Sequence, residues 1–121
     1  MFLQCEFIKW LNTRGVLFCA SCGGMRTSIR TAVNMKRAGY KKGYPDISIF
    51  HRNKDYAGLM IEIKAGANRA TPEQLAWQQE LLKNGYCSLI MPSNLDFSQA
   101  LDWLKNAVED YLKSEDMTGR Y

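Results

Sequence analysis

Two apolar runs, Leu59-Met60-Ile61-Glu62-Ile63-Lys64 and Tyr86-Cys87-Ser88-Leu89-Ile90-Met91, flank the strongest helix start in the chain, Thr71-Pro72-Glu73-Gln74. Thr71 offers an N-cap hydroxyl, and Pro72 fits the first helical position, where a backbone N–H has no partner to lose. Gln74, three residues after the Thr, can complete a capping box. The helix runs to about Asn84 and stops at Gly85; Pro92 ends the strand that follows. Strand, helix and strand at this spacing predict a right-handed β-α-β crossover joining parallel strands. That unit commits the chain to a sheet with helices laid on it.

The remaining elements arrange themselves around it. Residues 2–12 read as a short helix with Phe2, Leu3, Phe7, Trp10 and Leu11 as its apolar positions, and Gly15 follows its end. Val16 to Ala20 is a short apolar strand leading into a Gly23-Gly24 loop. A second helix, from about Ser28 to Ala38, turns Ile29, Ala32, Val33 and the stem of Lys36 inward, with Gly39 at its C-terminal cap. Asp46 to Phe50 is a strand that folds back on residues 59–64 as a hairpin, across the polar stretch His51 to Gly58. Phe97, Leu101, Leu104, Val108 and Leu112 recur at helical spacing and mark a long amphipathic C-terminal helix. Trp77, Leu81 and Trp103 read as core or interface residues. The order α-β-α-β-β-α-β-α gives an α/β fold with a mixed central sheet flanked by helices. At 121 residues it is one domain, spanning 1–121.

Charge is unevenly spread. Between Phe7 and Pro45 there is no acidic residue, while Lys9, Arg14, Arg26, Arg30, Lys36, Arg37, Lys41 and Lys42 are all basic; the rest of the chain carries a net negative charge. A one-signed segment of this kind suits an anionic partner, or is simply a solvated basic helix face. No apolar run is long enough to span a bilayer, and Glu6 and Lys9 interrupt the start where a signal peptide would be continuous, so a cytoplasmic location without membrane association is expected. Four cysteines are too few and too scattered for a disulfide scaffold. Cys19 and Cys22 have the spacing of half a zinc site, but Cys5, Cys87 and His51 form no second close pair, so buried or loop thiols are the simpler reading. The single histidine excludes mechanisms that need two within one chain.

Chemistry concentrates at the hairpin. Alternation puts Glu62 and Lys64 on one strand face and Ile61 and Ile63 on the other, so burying the isoleucines displays an acid beside a base. A turn centred near Lys54 or Asp55 brings Asp46 opposite residues 62 to 64, where cross-strand neighbours lie about 5 Å apart at Cβ. Two carboxylates so close repel unless a cation lies between them, and hard oxygen ligands favour Mg²⁺ or Mn²⁺ over zinc. A lysine beside such a cation can orient water and stabilise charge developing on phosphoryl oxygens. Just before Asp46, Gly39-Tyr40-Lys41-Lys42-Gly43-Tyr44 combines small residues, lysines and tyrosines, which suits contact with phosphates and unpaired bases. It also fits a turn whose tyrosines pack on the sheet.

Gly43-Tyr44-Pro45-Asp46 followed by Glu62-Ile63-Lys64 resembles the PD-(D/E)xK nuclease superfamily, and more closely its virus-type replication-repair nuclease (VRR-NUC) domain. Gln74 with Trp77, Gly85-Tyr86, and the upstream Gly24, Arg26, Ala32 and Lys36-Arg37-Ala38-Gly39 extend the resemblance over roughly residues 4 to 91. It implies a restriction-endonuclease-like core. Asp46, Glu62 and the backbone carbonyl of Ile63 would be metal ligands, Lys64 the catalytic lysine, Glu6 a further acidic residue near the metal, and Gln74 a glutamine facing the site. As a cap, however, Gln74 would turn away from the metal. The segment Ala20 to Gly24 lacks the Asn-Gly loop of the family pattern.

The expected activity is Mg²⁺- or Mn²⁺-dependent endonucleolytic hydrolysis of DNA, with Arg26, Arg30, Lys36, Tyr40, Lys41, Lys42, Gly43 and Tyr44 contacting the nucleic acid. The resemblance implies branched substrates such as flaps or Holliday junctions, in replication, recombination or repair, and a phage-type standalone protein acting in host cytoplasm. A homodimer is the economical way for so short a chain to cut two strands. The alternatives are a non-catalytic nucleic-acid-binding module whose acids are structural, and a nuclease acting on RNA.

Overall fold

The helix start foreseen from capping chemistry, at Thr71, forms as expected. In the computed structural model, which describes residues 2–21 and 28–121, Ser28, Thr71 and Asp96 cap helices with side-chain oxygens, the last two in full capping boxes. The elements in chain order are α1 (Phe2–Thr13), β1 (Phe18–Ala20), α2 (Ile29–Arg37), β2 (Ile47–Ile49), β3 (Leu59–Glu62), α3 (Pro72–Lys83), β4 (Cys87–Ile90) and α4 (Phe97–Leu112). This is the expected order of an α/β fold with a mixed sheet. Strands lie side by side as β1-β2-β3-β4, antiparallel across the first two junctions and parallel between β3 and β4. Strand β1 is shorter than the apolar run suggested, because Val16 and Leu17 lie outside it.

Alternation sorts the sheet into two chemically distinct faces. Ile47, Ile49, Leu59, Ile61, Cys87 and Leu89 point into a core closed by Phe7 and Leu11 of α1 and by Ala100, Leu104, Ala107, Val108 and Tyr111 of α4. The buried stripe of α4 is therefore shifted from the sequence expectation: Leu104 and Val108 are buried, but Phe97 is half exposed while Ala100 and Tyr111 are buried. Helix α4 packs against α1 along this side. Tyr111 donates from its hydroxyl to the His51 carbonyl at 2.7 Å, so a buried polar group is satisfied.

The opposite face carries Ser48, Met60, Glu62 and Ser88, and α3 lies on this side, where Gln78 donates from Nε2 to the Ser88 carbonyl at 3.0 Å. Helix α2 corrects the reading of its apolar positions. None of its residues is buried, and Ile29, expected to face inward, is 85% exposed. Ala32, Val33 and Lys36 are exposed as well. Helical spacing marks an apolar side, but α1 and α4 already close the apolar face of the sheet.

Candidate active site

The β2–β3 register places Ile47 opposite Ile61, and one step outward along the same pairing Asp46 comes opposite Glu62. Asp46 lies just beyond β2, where its carboxylate Oδ2 accepts from the Ile63 N–H at 2.8 Å. On its other side, the Asp46 carbonyl accepts from the Ser21 N–H at 2.8 Å, which joins the site to the end of β1. Three extended segments thus fix the aspartate.

Glu62 and Lys64 share a face as alternation requires, but they are not displayed to solvent. They are only 6% and 7% exposed, because α3 covers the sheet face that alternation alone left open. The ammonium and carboxylate lie 3.9 Å apart (Nζ to Oε2). Burial first, then a proton shared with Asp46 and repulsion from its charge, push the Glu62 carboxyl from an ordinary 4.5 up to about 8; the charge on Lys64 offsets this in part.

Lys64 is aimed from the other side by Gln74, whose Oε1 accepts from Nζ. The same oxygen accepts from the Thr71 N–H at 3.0 Å, while Thr71 Oγ1 accepts from the Gln74 N–H at 3.2 Å. Both partners of Oε1 are donors, which fixes the orientation of the amide. Capping therefore does not turn Gln74 away, as its position in the box had suggested. One atom closes the helix N-terminus and holds the lysine. An ammonium has three N–H groups, so a bond to Gln74 and attraction to Glu62 still leave Lys64 one donor for a phosphoryl oxygen or water.

The loop before Asp46 is packed onto α3. Trp77 Nε1 donates to the Lys42 carbonyl at 3.1 Å, and the Tyr44 ring meets the Trp77 ring edge-on, centroids 5.0 Å apart. Tyr44 hydroxyl and Ser48 Oγ lie 2.6 Å apart in a hydrogen bond. Gly43 has φ +92°, and a Cβ there would come within 2.7 Å of the Glu73 backbone, so only glycine lets the loop pass. Tyr44 is thus anchored to the scaffold while remaining only half-buried. Lys42 pairs loosely with Glu73 at 3.8 Å, and Arg30, Lys36 and Lys41 are exposed. Cys22, Gly23, Gly24 and Arg26 lie outside the described residues.

Glu6 stands apart from this group, paired on α1 with Lys9 at 3.1 Å. Among the described residues no three of His, Cys, Asp and Glu gather as a metal-binding set. The oxygen donors that do converge are two carboxylates and backbone. Their chemistry fits a hard divalent cation: a buried acid forced toward protonation by a neighbouring acid is relieved when positive charge lies between them. Sequence reasoning missed Thr71, Trp77 and Gln78 as supports of the site. The i, i+3 and i+4 spacing of Trp77 and Gln78 from Gln74 is the available signal, since it puts them on one helix face.

Comparison with known proteins bears on the family and the fold. The VRR-NUC domain family model matches residues 2–94. A solved structure described as a VRR_NUC domain protein superposes with a TM-score of 0.69 and 26% identity, over 94% of this chain and 88% of that one. No curated protein matches. Among the described residues no helix is long and apolar enough to cross a membrane. With the family match spanning most of its length and its fold shared with a solved member, the chain belongs to the VRR-NUC family, nucleases whose chemistry is hydrolysis of phosphodiester bonds.

Proposed function

We propose that this chain is a metal-dependent endonuclease acting on DNA, with Asp46, Glu62 and the Ile63 carbonyl as ligands of Mg²⁺ or Mn²⁺ and Lys64 as the catalytic lysine. The observation that carries this reading is the opposition of half-buried Asp46 to buried Glu62, with a lysine 3.9 Å from the latter held by Gln74. Bound there, a divalent cation supplies Lewis-acid chemistry, drawing charge from the phosphate and acidifying water. Asp46 is positioned through its bond to the Ile63 N–H. Lys64 presents a fixed positive charge to the oxygens on which negative charge grows, in a pocket where α3 limits screening by water. Gln74 keeps that ammonium in place without competing for its charge.

The basic exposed residues Arg30, Lys36, Lys41 and Lys42 lie ahead of Asp46 in the chain and supply phosphate contacts. Selection by DNA structure, as at flaps or four-way junctions, suits a chain with a short packed loop beside its acids. A symmetric pair of chains would cut two strands. The test is cleavage of a labelled panel of duplex, flap, four-way junction and RNA substrates in Mg²⁺, Mn²⁺ or EDTA. Metal-dependent cutting of branched DNA is expected; binding without cutting on every substrate would leave a non-catalytic module, and cutting confined to RNA would change the substrate.

A further inference from the structure

A cleft of about 530 Å³ opens where the end of β1, the 39–44 loop and α3 meet, with Ala20, Ser21, Tyr40, Lys41, Tyr44 and Trp77 among its lining. Its volume falls within the roughly 300–1,000 Å³ of sites that enclose small organic groups. Trp77 and Tyr44 stand at 86° to one another and form a rigid aromatic corner, because the indole N–H is held by the Lys42 carbonyl and the phenol by Ser48. Tyr40 adds a third aromatic wall and is tied through its backbone, its N–H donating to the Met35 carbonyl at 2.9 Å. Lys41 brings a positive charge to the same cleft. The cleft is also joined to the chemistry: Ser21 lines it and donates its N–H to the Asp46 carbonyl, and Tyr44 lies two residues before Asp46.

From this arrangement we infer that the cleft holds an unpaired nucleobase of the DNA strand, one that flanks the phosphate being cut. The inference rests on the proposed nuclease reading and deepens it. Flat aromatic walls suit the face of a base, and a lysine beside them suits the phosphate that such a base carries. A base inside a duplex is stacked on both sides and cannot enter without being extruded, whereas one at a fork or flap is already free. The cleft therefore favours DNA with unpaired nucleotides over fully paired arms, and Tyr40, the wall least engaged with the scaffold, is a specificity residue.

The test uses the full chain carrying Lys64→Ala to prevent cutting, bound to a forked DNA with 2-aminopurine as the first unpaired base and to the matching fully paired duplex. Stacking should quench the 2-aminopurine on binding. Adding Tyr40→Ala should reduce the quench and weaken fork binding about 5- to 30-fold while changing duplex binding little, and Tyr40→Phe should restore both. A quench left unchanged by Tyr40→Ala, or an equal loss on fork and duplex, overturns the inference. If the wild-type chain cuts nothing while the quench and its dependence on Tyr40 persist, the activity fails and the base pocket stands.

Discussion

Glu62 is the buried acid of the candidate site. A carboxyl shifted up to about 8 is protonated more readily in the folded chain than in the unfolded one. Its contribution therefore favours the fold at low pH and is lost as pH rises from about 4.5 through about 8, the window over which the unfolded chain releases the proton and the folded chain keeps it. In EDTA, the midpoint of denaturant unfolding should fall across that window, and Glu62→Gln should flatten the fall. A metal-free protein equally stable at both ends would contradict the burial of this charge. Gln74 acts at the same scale, through a single oxygen shared by Thr71 and Lys64. Removing it in Gln74→Ala should lower the cleavage rate about 10- to 100-fold, as loss of a supporting partner does at metal sites, with the chain still folded by circular dichroism. That Asp46, Glu62 and Lys64 come together could be read from the sequence because their spacing and register are local. Burial could not, since alternation says which side chains share a face but not whether a helix covers it.

At the scale of elements, the junction between the 39–44 loop and α3 decides whether the site is assembled. Gly43 meets the backbone of Glu73, and Trp77 one turn further along α3 bonds the Lys42 carbonyl, so loop and helix are fixed to each other at two points. Gly43→Ala places a methyl group against backbone at a residue with φ +92°, where an L side chain is already disfavoured. It should cost more than about 1 kcal/mol by urea unfolding and weaken DNA binding more than Lys42→Ala does; a wild-type unfolding midpoint would show that the contact is dispensable. Helix ends and the β-α-β unit were legible because Thr71, Pro72, Gln74 and Gly85 act on backbone next to them. The exposure of α2 was not, because Ile29 and Val33 keep their helical spacing whether or not a surface faces them.

For the whole molecule, the sheet separates structure from chemistry. One face is an apolar core shared by α1 and α4, tied at its edge by Arg14 to Glu109 through bonds of 2.6 and 2.9 Å, and the other bears the acids beneath α3. The basic segment adds a positive field ahead of Asp46, so DNA affinity should fall with salt, and Arg30→Ala should reduce the slope of log K against log salt by about 1. An unchanged slope would remove Arg30 from the binding face. The central claim is that Asp46, Glu62 and Lys64 form a metal-dependent hydrolytic site. Its most direct test is single-turnover cleavage of forked DNA in Mg²⁺ by the wild-type chain and by Lys64→Ala, with binding measured in parallel. The wild-type chain should cut and stop in EDTA, while Lys64→Ala should bind with similar affinity and not cut; cutting by Lys64→Ala at the wild-type rate would contradict the account.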